Sequence, residues 1–293
     1  MKTIAVLITC YNRSEMTLRC LKCLFLQALP SDVKLDVFLV DDGSTDETGA
    51  QVKKQFPQVH VIQGTGVLYW AGGMRLAWKT AAKTADYDAY LWLNDDVYLA
   101  DDVIVGVLRD DEWVQTYEKK HGIIVGTFAD EENGRVLSYG GFKNGRGGIV
   151  MPAEHKPVQF DGGMSGNFVF VPNEVFKKIG MFSEKLIHAL GDFDYAFLAH
   201  KAGVPTYCAS GVTGWCSGHS YDPWDGFHKL TFLQRVAMVR HPTKVAFHDF
   251  LVMALRYSGF IAAVSCWLRT WMKVFCPFLI VKVRSWRAKR TSV

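Results

Sequence analysis

The stretch Leu35-Asp36-Val37-Phe38-Leu39-Val40-Asp41-Asp42-Gly43-Ser44-Thr45-Asp46 decides the fold, because an apolar run ends in it at two adjacent acids and a polar turn. Short apolar runs bounded by turn residues are typical of buried strands, so we expect a strand at Leu35 to Val40. Similar runs predict strands at Ile4 to Thr9, His60 to Gln63 and Ala89 to Leu93. Segments with helical periodicity separate these runs. The sequence therefore predicts an α/β fold with a mostly parallel sheet flanked by helices.

Helix signals lie between and after these strands. Ser14 is expected to cap the first helix, which runs until Pro30. The acids and hydroxyls of residues 41–46 suit a turn that caps the next one. Further helices are expected over about residues 74–83, 174–179 and 192–201, the last ended by Gly203.

Two of the polar loops that follow predicted strands hold adjacent acids, namely Asp41-Asp42 and Asn94-Asp95-Asp96. Ligands bind at the carboxyl ends of the strands in open parallel sheets, so both loops are candidates for a binding site. Adjacent carboxylates at a strand end also suit Mg²⁺ or Mn²⁺ shared with substrate phosphates. The alternatives are turn and cap residues for the first loop and a solvated loop for the second.

Three residues nearer the C-terminus are further candidates. Asp192 and Asp194 lie at the start of a predicted helix, where a carboxylate either caps the helix or is held in place to act as a general base. His219 lies in a loop of small residues, Cys216-Ser217-Gly218-His219-Ser220. It is either a metal ligand or a polar surface residue.

The composition excludes several classes of protein. The chain has 293 residues and a net charge of +4, but ten of its 33 basic residues lie from Arg240 onward, where there is a single acid. The part before Arg240 is net acidic, which argues against a nucleic-acid-binding protein. The sequence also lacks zinc-ligand spacing, a dinucleotide-binding fingerprint and a Walker lysine motif. The seven cysteines are expected to be reduced thiols, and the first apolar run is too short for a signal peptide, so we expect a cytoplasmic protein.

The segment 236–293 is expected to form a helical, basic and amphipathic tail behind a domain that spans residues 1–235. Tryptophan and phenylalanine are dense in this tail, but charges interrupt every apolar run before it could span a bilayer. Such a segment suits the surface of an anionic membrane. The alternatives are an oligomer interface, which leaves a homodimer open, and a helical cap over the core.

Five pieces of the sequence, taken in order, resemble the family 2 glycosyltransferases of the GT-A fold. They are residues 9–13, 40–46, 64–74 (Gly-Thr-Gly-Val-Leu-Tyr-Trp-Ala-Gly-Gly-Met), 93–97 and 188–203. The resemblance covers about residues 3–220 and is similar to the branch that builds bacterial surface polysaccharides, often called rhamnosyltransferase-like. It implies a Rossmann-like half for the nucleotide-sugar at residues 1–100 and an acceptor half at residues 101–235.

The resemblance also implies roles for individual residues. Those that would bind the donor are Thr9, Tyr11, Arg13, Asp41, Asp42, Trp70, Gly72, Gly73, Arg75, Asn94 and Asp95. Within that set, Asp41 or Asp42 would accept a hydrogen bond from the imide of uracil or thymine. Asp96, with Asp95 and His219, would hold Mn²⁺ or Mg²⁺. Asp192 would be the catalytic base, and Asp194 would cap or orient. Asn94 departs from the family pattern, which commonly has an acid at that position.

The implied activity is an inverting, metal-dependent transfer of a hexosyl or rhamnosyl group from a UDP- or dTDP-sugar to a lipid-linked saccharide acceptor. It implies a peripheral protein on the cytoplasmic face of the plasma membrane, in O-antigen or capsule synthesis. Two alternatives remain. One is a membrane-bound nucleotide-sugar-binding scaffold with a decayed site, and the other is a nucleotidyltransferase on a related fold.

Overall fold

The computed structural model describes residues 1–130, 134, 136–144, 148–218 and 222–278. The chain divides into two compact units. The first comprises Met1–Glu184 and Gly191–Gly218, and the second comprises Lys185–Leu190 and the described residues beyond position 218. The described residues between 222 and the expected boundary at residue 235 belong to this second unit, and the expected division into functional domains stays a prediction.

Two sheets build the first unit. The strands are β1 (Lys2–Cys10), β2 (Val33–Asp41), β3 (His60–Gln63), β4 (Ala89–Leu93), β5 (Tyr98–Leu99), β6 (Ile123–Val125), β7 (Phe128–Ala129), β8 (Leu137–Tyr139), β9 (Val158–Phe160), β10 (Phe168–Pro172), β11 (Thr206–Cys208) and β12 (Gly214–Trp215). The larger sheet has the order β3-β2-β1-β4-β10-β6-β11-β9, and a smaller sheet has the order β5-β12-β7-β8. β1 to β4 are parallel, whereas β10 is antiparallel to both of its neighbours.

Helices connect these strands. They are α1 (Ser14–Phe25), α2 (Thr48–Gln55), α3 (Tyr69–Thr84), α4 (Val103–Glu118), α5 (Asn173–Ile179) and α6 (Gly191–Lys201). The mostly parallel α/β fold expected from the sequence is confirmed. The expected bounds of β3 and β4 agree with the structure, and β1 and β2 extend a little beyond theirs. β4, most of β1 and the second half of β2 are buried on both faces, which is why they read as continuous apolar runs.

The expected start of α3 at Met74 is wrong, because the helix begins five residues earlier, at Tyr69. Gly72 and Gly73 therefore lie inside the helix and not in the loop before it. A Cβ on Gly73 would stand 2.1 Å from the Thr9 hydroxyl oxygen of β1. The close packing of α3 on β1 leaves no room for a side chain at residue 73. This explains why a glycine occurs inside α3, although glycine is unfavourable in a helix.

The expected cap of α1 is also wrong, since the Ser14 side chain does not cap the helix. The Ser14 N–H instead donates to Asp46 Oδ2 at 2.9 Å, from the turn after β2. The same turn caps α2 as expected. Asp46 Oδ1 accepts from the Thr48 N–H at 3.1 Å, and Asp41 Oδ2 accepts from the Gly49 N–H at 3.0 Å. One acidic turn therefore holds the start of two helices.

All the regular secondary structure in the described part of the second unit is helical. This unit holds a single 3-10 turn (Phe227–Lys229), α7 (Phe232–Arg240), α8 (Phe247–Met253), a π-helical segment (Ala254–Ser258) and α9 (Phe260–Phe275). A small core joins Phe227, Val239, Val245 and Val274. In the described part of the chain, no helix combines the length and the apolar character needed to cross a bilayer. Residues 279–293 of the expected tail lie outside the described residues.

Asp249 organises this second unit. It lies in the first turn of α8, its side chain is almost fully buried, and its two carboxylate oxygens accept from three successive backbone N–H groups. The donors are Ile187 at 3.0 Å, His188 at 2.9 Å and Ala189 at 2.8 Å. A carboxylate that accepts several backbone N–H groups can remain buried because its charge is compensated. Asp249 therefore ties residues 187–189 to the helices of this unit.

We predict that Asp249→Ala lowers the free energy of unfolding of the second unit by about 3 kcal/mol, because three buried N–H groups lose their acceptor. Urea denaturation followed by circular dichroism measures this loss. Lys229, an exposed residue of the same unit, provides the control. Lys229→Ala is expected to change stability by less than about 0.5 kcal/mol. Equal midpoints for the two variants would contradict the anchoring role of Asp249.

Candidate functional site

Three loops meet at the carboxyl edge of β1, β2 and β4. The loop after β1 contacts the loop after β2, because Asn12 Oδ1 accepts from the Thr45 N–H at 2.7 Å and the Asn12 N–H donates to Ser44 Oγ at 3.0 Å. The loop after β1 also contacts the loop after β4 through Arg13. The parallel strands bring their polar ends together, as expected for a ligand-binding edge.

Asp41 and Asp42 are both buried at the end of β2. Their carboxylates accept hydrogen bonds from backbone N–H groups. Asp41 holds its own turn and α2, as described above. Asp42 Oδ1 accepts from the Gly66 N–H and Oδ2 from the Tyr69 N–H, each at 2.8 Å. Asp42 therefore fixes the glycine-rich loop at the start of α3. A carboxylate oxygen can accept a second hydrogen bond, so the expected contact with a nucleobase stays a prediction.

Arg13 bridges the adjacent acids after β4. Its Nη1 donates to Asp95 Oδ1 at 3.2 Å and to Asp96 Oδ2 at 2.8 Å. The Thr17 hydroxyl donates to the other oxygen of Asp95 at 3.2 Å. Burial raises the pKa of Asp95 to about 7, while Arg13 opposes that rise and the charge of Asp96 adds to it. Two carboxylates and one guanidinium thus leave the cluster with an excess of negative charge when both acids are ionised.

The residues of this cluster suit a divalent cation in their chemistry. Carboxylate oxygens are hard ligands, and a buried carboxyl with a raised pKa is a group whose ionised form a bound cation would stabilise. Among the described residues, no three His, Cys, Asp or Glu side chains form a group that could hold a metal ion. Asp95 and Asp96 would therefore supply only part of a coordination shell. His219, the expected further ligand, lies outside the described residues.

Asp192 lies in the first turn of α6, as expected. Its Oδ2 accepts from the Gly166 N–H at 3.0 Å, and its Oδ1 accepts from the Phe193 N–H at 2.9 Å. Burial raises the pKa of Asp192 to about 6, and these backbone hydrogen bonds oppose the rise. The carboxylate is therefore held rigidly and is more basic than an ordinary aspartate. Asp194 is fully buried and accepts from the Ser183 N–H at 2.7 Å, so it orients the preceding loop.

Trp70 joins the acidic cluster to the neighbourhood of Asp192. Its Nε1–H donates to Asn94 Oδ1 at 2.8 Å, in the loop that carries Asp95 and Asp96. Its ring stacks on Phe182, with the two centroids 5.9 Å apart and the planes at 19°. A single rigid side chain in α3 therefore determines the position of Asn94.

Two glycines make room for that indole beside Asp192. A Cβ on Gly166 would stand 2.5 Å from Trp70 Cζ2 and 3.5 Å from the Asp192 Cβ. A Cβ on Gly191 would stand 3.0 Å from Trp70 Cζ3. The ring therefore lies against the backbone of both residues. Because the Gly166 N–H also donates to Asp192, Gly166 contacts both the Trp70 ring and the Asp192 carboxylate.

The structure places the remaining expected donor residues in different surroundings. Tyr11 is exposed at the edge of the sheet. Thr9 is buried against Gly73, and Gly72 lies next to Leu68 within α3. Arg75 Nη1 donates to the Ser183 carbonyl oxygen at 3.0 Å. Thr9 and Gly73 thus have a packing role in this structure, and donor binding by these residues stays a prediction.

Sequence reasoning missed several residues of the site. Gly166 and Asn167 come from the loop before β10, and Thr17 comes from α1. The Asn167 side-chain amide donates to Cys216 Sγ at 3.6 Å, and this sulfur lies 4.0 Å from Asp96 Oδ1. The glycine-rich run Gly162-Gly163-Met164-Ser165-Gly166 before a strand is the signal that could have pointed to this loop. Nothing in the sequence marks the positions of Thr17 or Cys216.

Comparison with protein families gives a match at residues 5–125, to the model described as Glycosyl transferase family 2. The matched region contains the loops after β1, β2 and β4, and it ends before Gly166 and Asp192. No curated protein sequence matches the chain significantly.

Several solved structures are similar in fold. A structure of TarS from S. aureus has 17% identity and a TM-score of 0.51, and the match covers 87% of this chain and 42% of TarS. TarS residues 1–349 in complex with UDP match with 17% identity and a TM-score of 0.51, over 88% of this chain and 73% of that one. The complex of the same fragment with UDP-GlcNAc gives 16% identity and the same TM-score, over the same shares of the two chains. The chain spans less than half the length of the longer TarS chain, and at this identity the likeness concerns the fold alone.

We predict that Gly166→Ala lowers the free energy of unfolding by about 1–3 kcal/mol, because the new methyl group overlaps the Trp70 ring. Urea denaturation monitored by tryptophan fluorescence provides the measurement. Gly106 in α4 is the matched control, since a Cβ there meets no atom within 4 Å. Gly106→Ala is expected to leave stability unchanged or to raise it by up to about 1 kcal/mol. Equal stabilities of Gly166→Ala and Gly106→Ala would contradict close packing of the Trp70 ring against Gly166.

Proposed function

We propose that the chain is a family 2 glycosyltransferase, which the match of its residues 5–125 to the Glycosyl transferase family 2 model supports, and that it transfers one hexosyl or rhamnosyl group from a UDP- or dTDP-sugar to an acceptor hydroxyl with inversion. One observation carries this proposal. A basic, rigidly held Asp192 and the Arg13–Asp95–Asp96 cluster are linked through Trp70. The donor and the acceptor would each meet one of these two groups.

The donor would bind at the edge formed by the loops after β1, β2 and β4. Tyr11 is exposed there and offers an aromatic face to a base, while Asp42 lies at the start of the glycine-rich loop. Gly43 and Gly66 both have positive φ, and a Cβ on Gly43 would stand 3.0 Å from the Gly66 Cα. The two backbones therefore approach each other too closely for a side chain at Gly43. A UDP-sugar and a UDP complex are known for the TarS fragment, which is similar in fold.

The proposed cofactor is Mn²⁺ or Mg²⁺, held by Asp95 and Asp96 together with donor phosphate oxygens. A divalent cation at this position supplies positive charge that stabilises a diphosphate leaving group. Arg13 provides a second positive charge beside the same carboxylates. Arg13 opposes the rise that burial causes in the pKa of Asp95, and its hydrogen bonds to both acids hold the two carboxylates close together.

Asp192 would act as the general base. Its carboxylate would take the proton from the acceptor hydroxyl while that oxygen attacks the anomeric carbon, and the nucleoside diphosphate would leave from the opposite face. Because the bond to the acceptor forms on the side opposite the broken bond, the single displacement inverts the anomer. The N–H groups of Gly166 and Phe193 keep the carboxylate in one orientation. A base with a pKa of about 6 is ionised at neutral pH and still accepts a proton more readily than an ordinary aspartate.

The acceptor in this proposal is a lipid-linked saccharide in the synthesis of a bacterial surface polysaccharide, either O-antigen or capsule. The enzyme would lie on the cytoplasmic face of the plasma membrane, where such an acceptor is presented. The support is the second unit, in which large apolar side chains of α9 are exposed. Among them are Phe260, Ile261, Leu268, Met272 and Phe275.

We predict that UDP or dTDP binds in the presence of Mn²⁺ and that Asp96→Asn weakens this binding at least about tenfold, because the cluster then loses one carboxylate charge. Isothermal titration calorimetry with UDP, dTDP, GDP and CMP, each with and without Mn²⁺, gives the affinities. Asp101→Asn changes an exposed acid in the loop before α4 and serves as the control. If no nucleotide binds under any condition, the transferase proposal fails. Nucleotide binding without any transfer from UDP- or dTDP-sugars would favour the decayed scaffold.

We predict that kcat/KM rises about tenfold per pH unit below pH 6 and levels off above about pH 7, since Asp192 must be ionised to accept a proton. Asp192→Asn is expected to lower kcat by about a thousandfold, within the range typical of general bases, while leaving the affinity for UDP unchanged. Rates measured from about pH 4.5 to about pH 8.5 test this profile. Asp101→Asn should reproduce the wild-type curve. An active Asp192→Asn enzyme would assign the base elsewhere.

A further inference from the structure

A groove of about 870 Å³ lies within the second unit and has no part in the transfer proposed above. Residues of α8, the π-helical segment and α9 line it together with Trp224. Its apolar wall is made by Trp224, Val245, Phe247, Phe250 and Ile261. Ser258, Ser265, Cys266 and Thr270 add small polar groups. The groove is therefore apolar over much of its wall and polar along one side of α9.

Two cations line the polar side of this groove. Arg269 and Lys273 are one helical turn apart in α9, so their side chains project from the same face of the helix. The Lys273 ammonium lies 3.7 Å above the centroid of the Trp224 ring, which holds it at the groove. None of the residues that line the groove is acidic. An occupant that complements these walls carries an anionic head next to a hydrocarbon chain.

The exposed apolar face of α9 begins at the same groove. Ile261 and Arg269 also line a smaller depression that adjoins the groove, together with Val264, Leu268 and Met272. Ile261 is 84% exposed and Phe260 is 75% exposed. Contiguous apolar surface of this kind is rare on soluble monomers and marks an interaction site. A helix with large apolar residues on one side and cations beside them suits the boundary between headgroups and acyl chains.

We propose that this groove binds an anionic phospholipid of the bilayer, with its phosphate between Arg269 and Lys273 and one acyl chain along Phe247, Phe250 and Ile261. The exposed face of α9 would then rest in the interfacial layer around the bound lipid. A second copy of this chain fits less well, because the cores of protein interfaces are depleted of charge. The inference rests on the membrane location in the proposed function, and it specifies which residues recognise the lipid.

Vesicle co-sedimentation of the full chain tests this proposal. Phosphatidylcholine vesicles with and without phosphatidylglycerol are compared for the wild type, for Arg269→Gln/Lys273→Gln and for Lys229→Gln/Arg240→Gln. The second double variant removes the same charge from exposed cations of the same unit outside the groove. The groove variant is expected to lose about tenfold or more in affinity for the anionic vesicles, at roughly 1 kcal/mol per cation. The control variant should lose no more than about threefold.

Three outcomes would overturn the proposal. Equal losses in both double variants would mean general charge attraction, and the absence of any preference for anionic vesicles would mean that no anionic lipid binds. Displacement from the vesicles by inorganic phosphate or by a polyprenyl phosphate, at concentrations where added phosphatidylglycerol micelles have no effect, would assign the groove to another phosphate. UDP titration of the groove variant separates this question from the transfer reaction. Unchanged UDP affinity with lost vesicle binding supports the lipid site, whatever the enzyme's activity.

A substitution on the apolar side provides a second readout. Ile261→Ser changes an exposed residue, so the fold is expected to survive, and it should weaken binding to both vesicle compositions about three- to tenfold. Val67→Ser is the control, because Val67 is an exposed apolar residue of the first unit. Equal binding of Ile261→Ser and Val67→Ser would contradict insertion of the α9 face.

Discussion

The indole of Trp70 is the constraint on which the geometry of the first unit's site depends. One edge of the ring donates to Asn94, and the ring lies against the backbone of Gly166 and Gly191. One hydrogen bond, the two glycines and the stacked Phe182 ring hold this planar side chain in its orientation. The acidic loop after β4 and the start of α6 are therefore set by the same rigid body, which matters for a reaction that needs two groups in fixed register.

The buried carboxylates of this unit have different surroundings. Asp41 and Asp42 hold loops through backbone N–H groups. Burial raises the pKa of Asp95 to about 7 and that of Asp192 to about 6. Asp95 has a guanidinium and a second acid beside it, while Asp192 has backbone hydrogen bonds alone. The first environment suits a cation, and the second suits proton transfer.

The second unit depends on a different device. Asp249 accepts hydrogen bonds from the backbone N–H groups of residues 187–189, and the helices pack around a small apolar core. Among the described residues, large apolar side chains on the outer face of α9 stay exposed, and Arg269 and Lys273 lie beside them. The exposed apolar side chains of α9 suit contact with a lipid surface.

The sequence by itself determined the central strands, the order of the polar loops and the position of Asp192 at a helix start. These features are local, because a buried parallel strand is a continuous apolar run and its end is marked by turn residues. It did not determine that α3 starts at Tyr69, that Asp46 caps α1, or that Gly166, Thr17 and Cys216 join the site. Only the tertiary structure decided these, since each depends on a partner from a distant element. Side-chain composition does not encode such a partner without the fold that brings the two together.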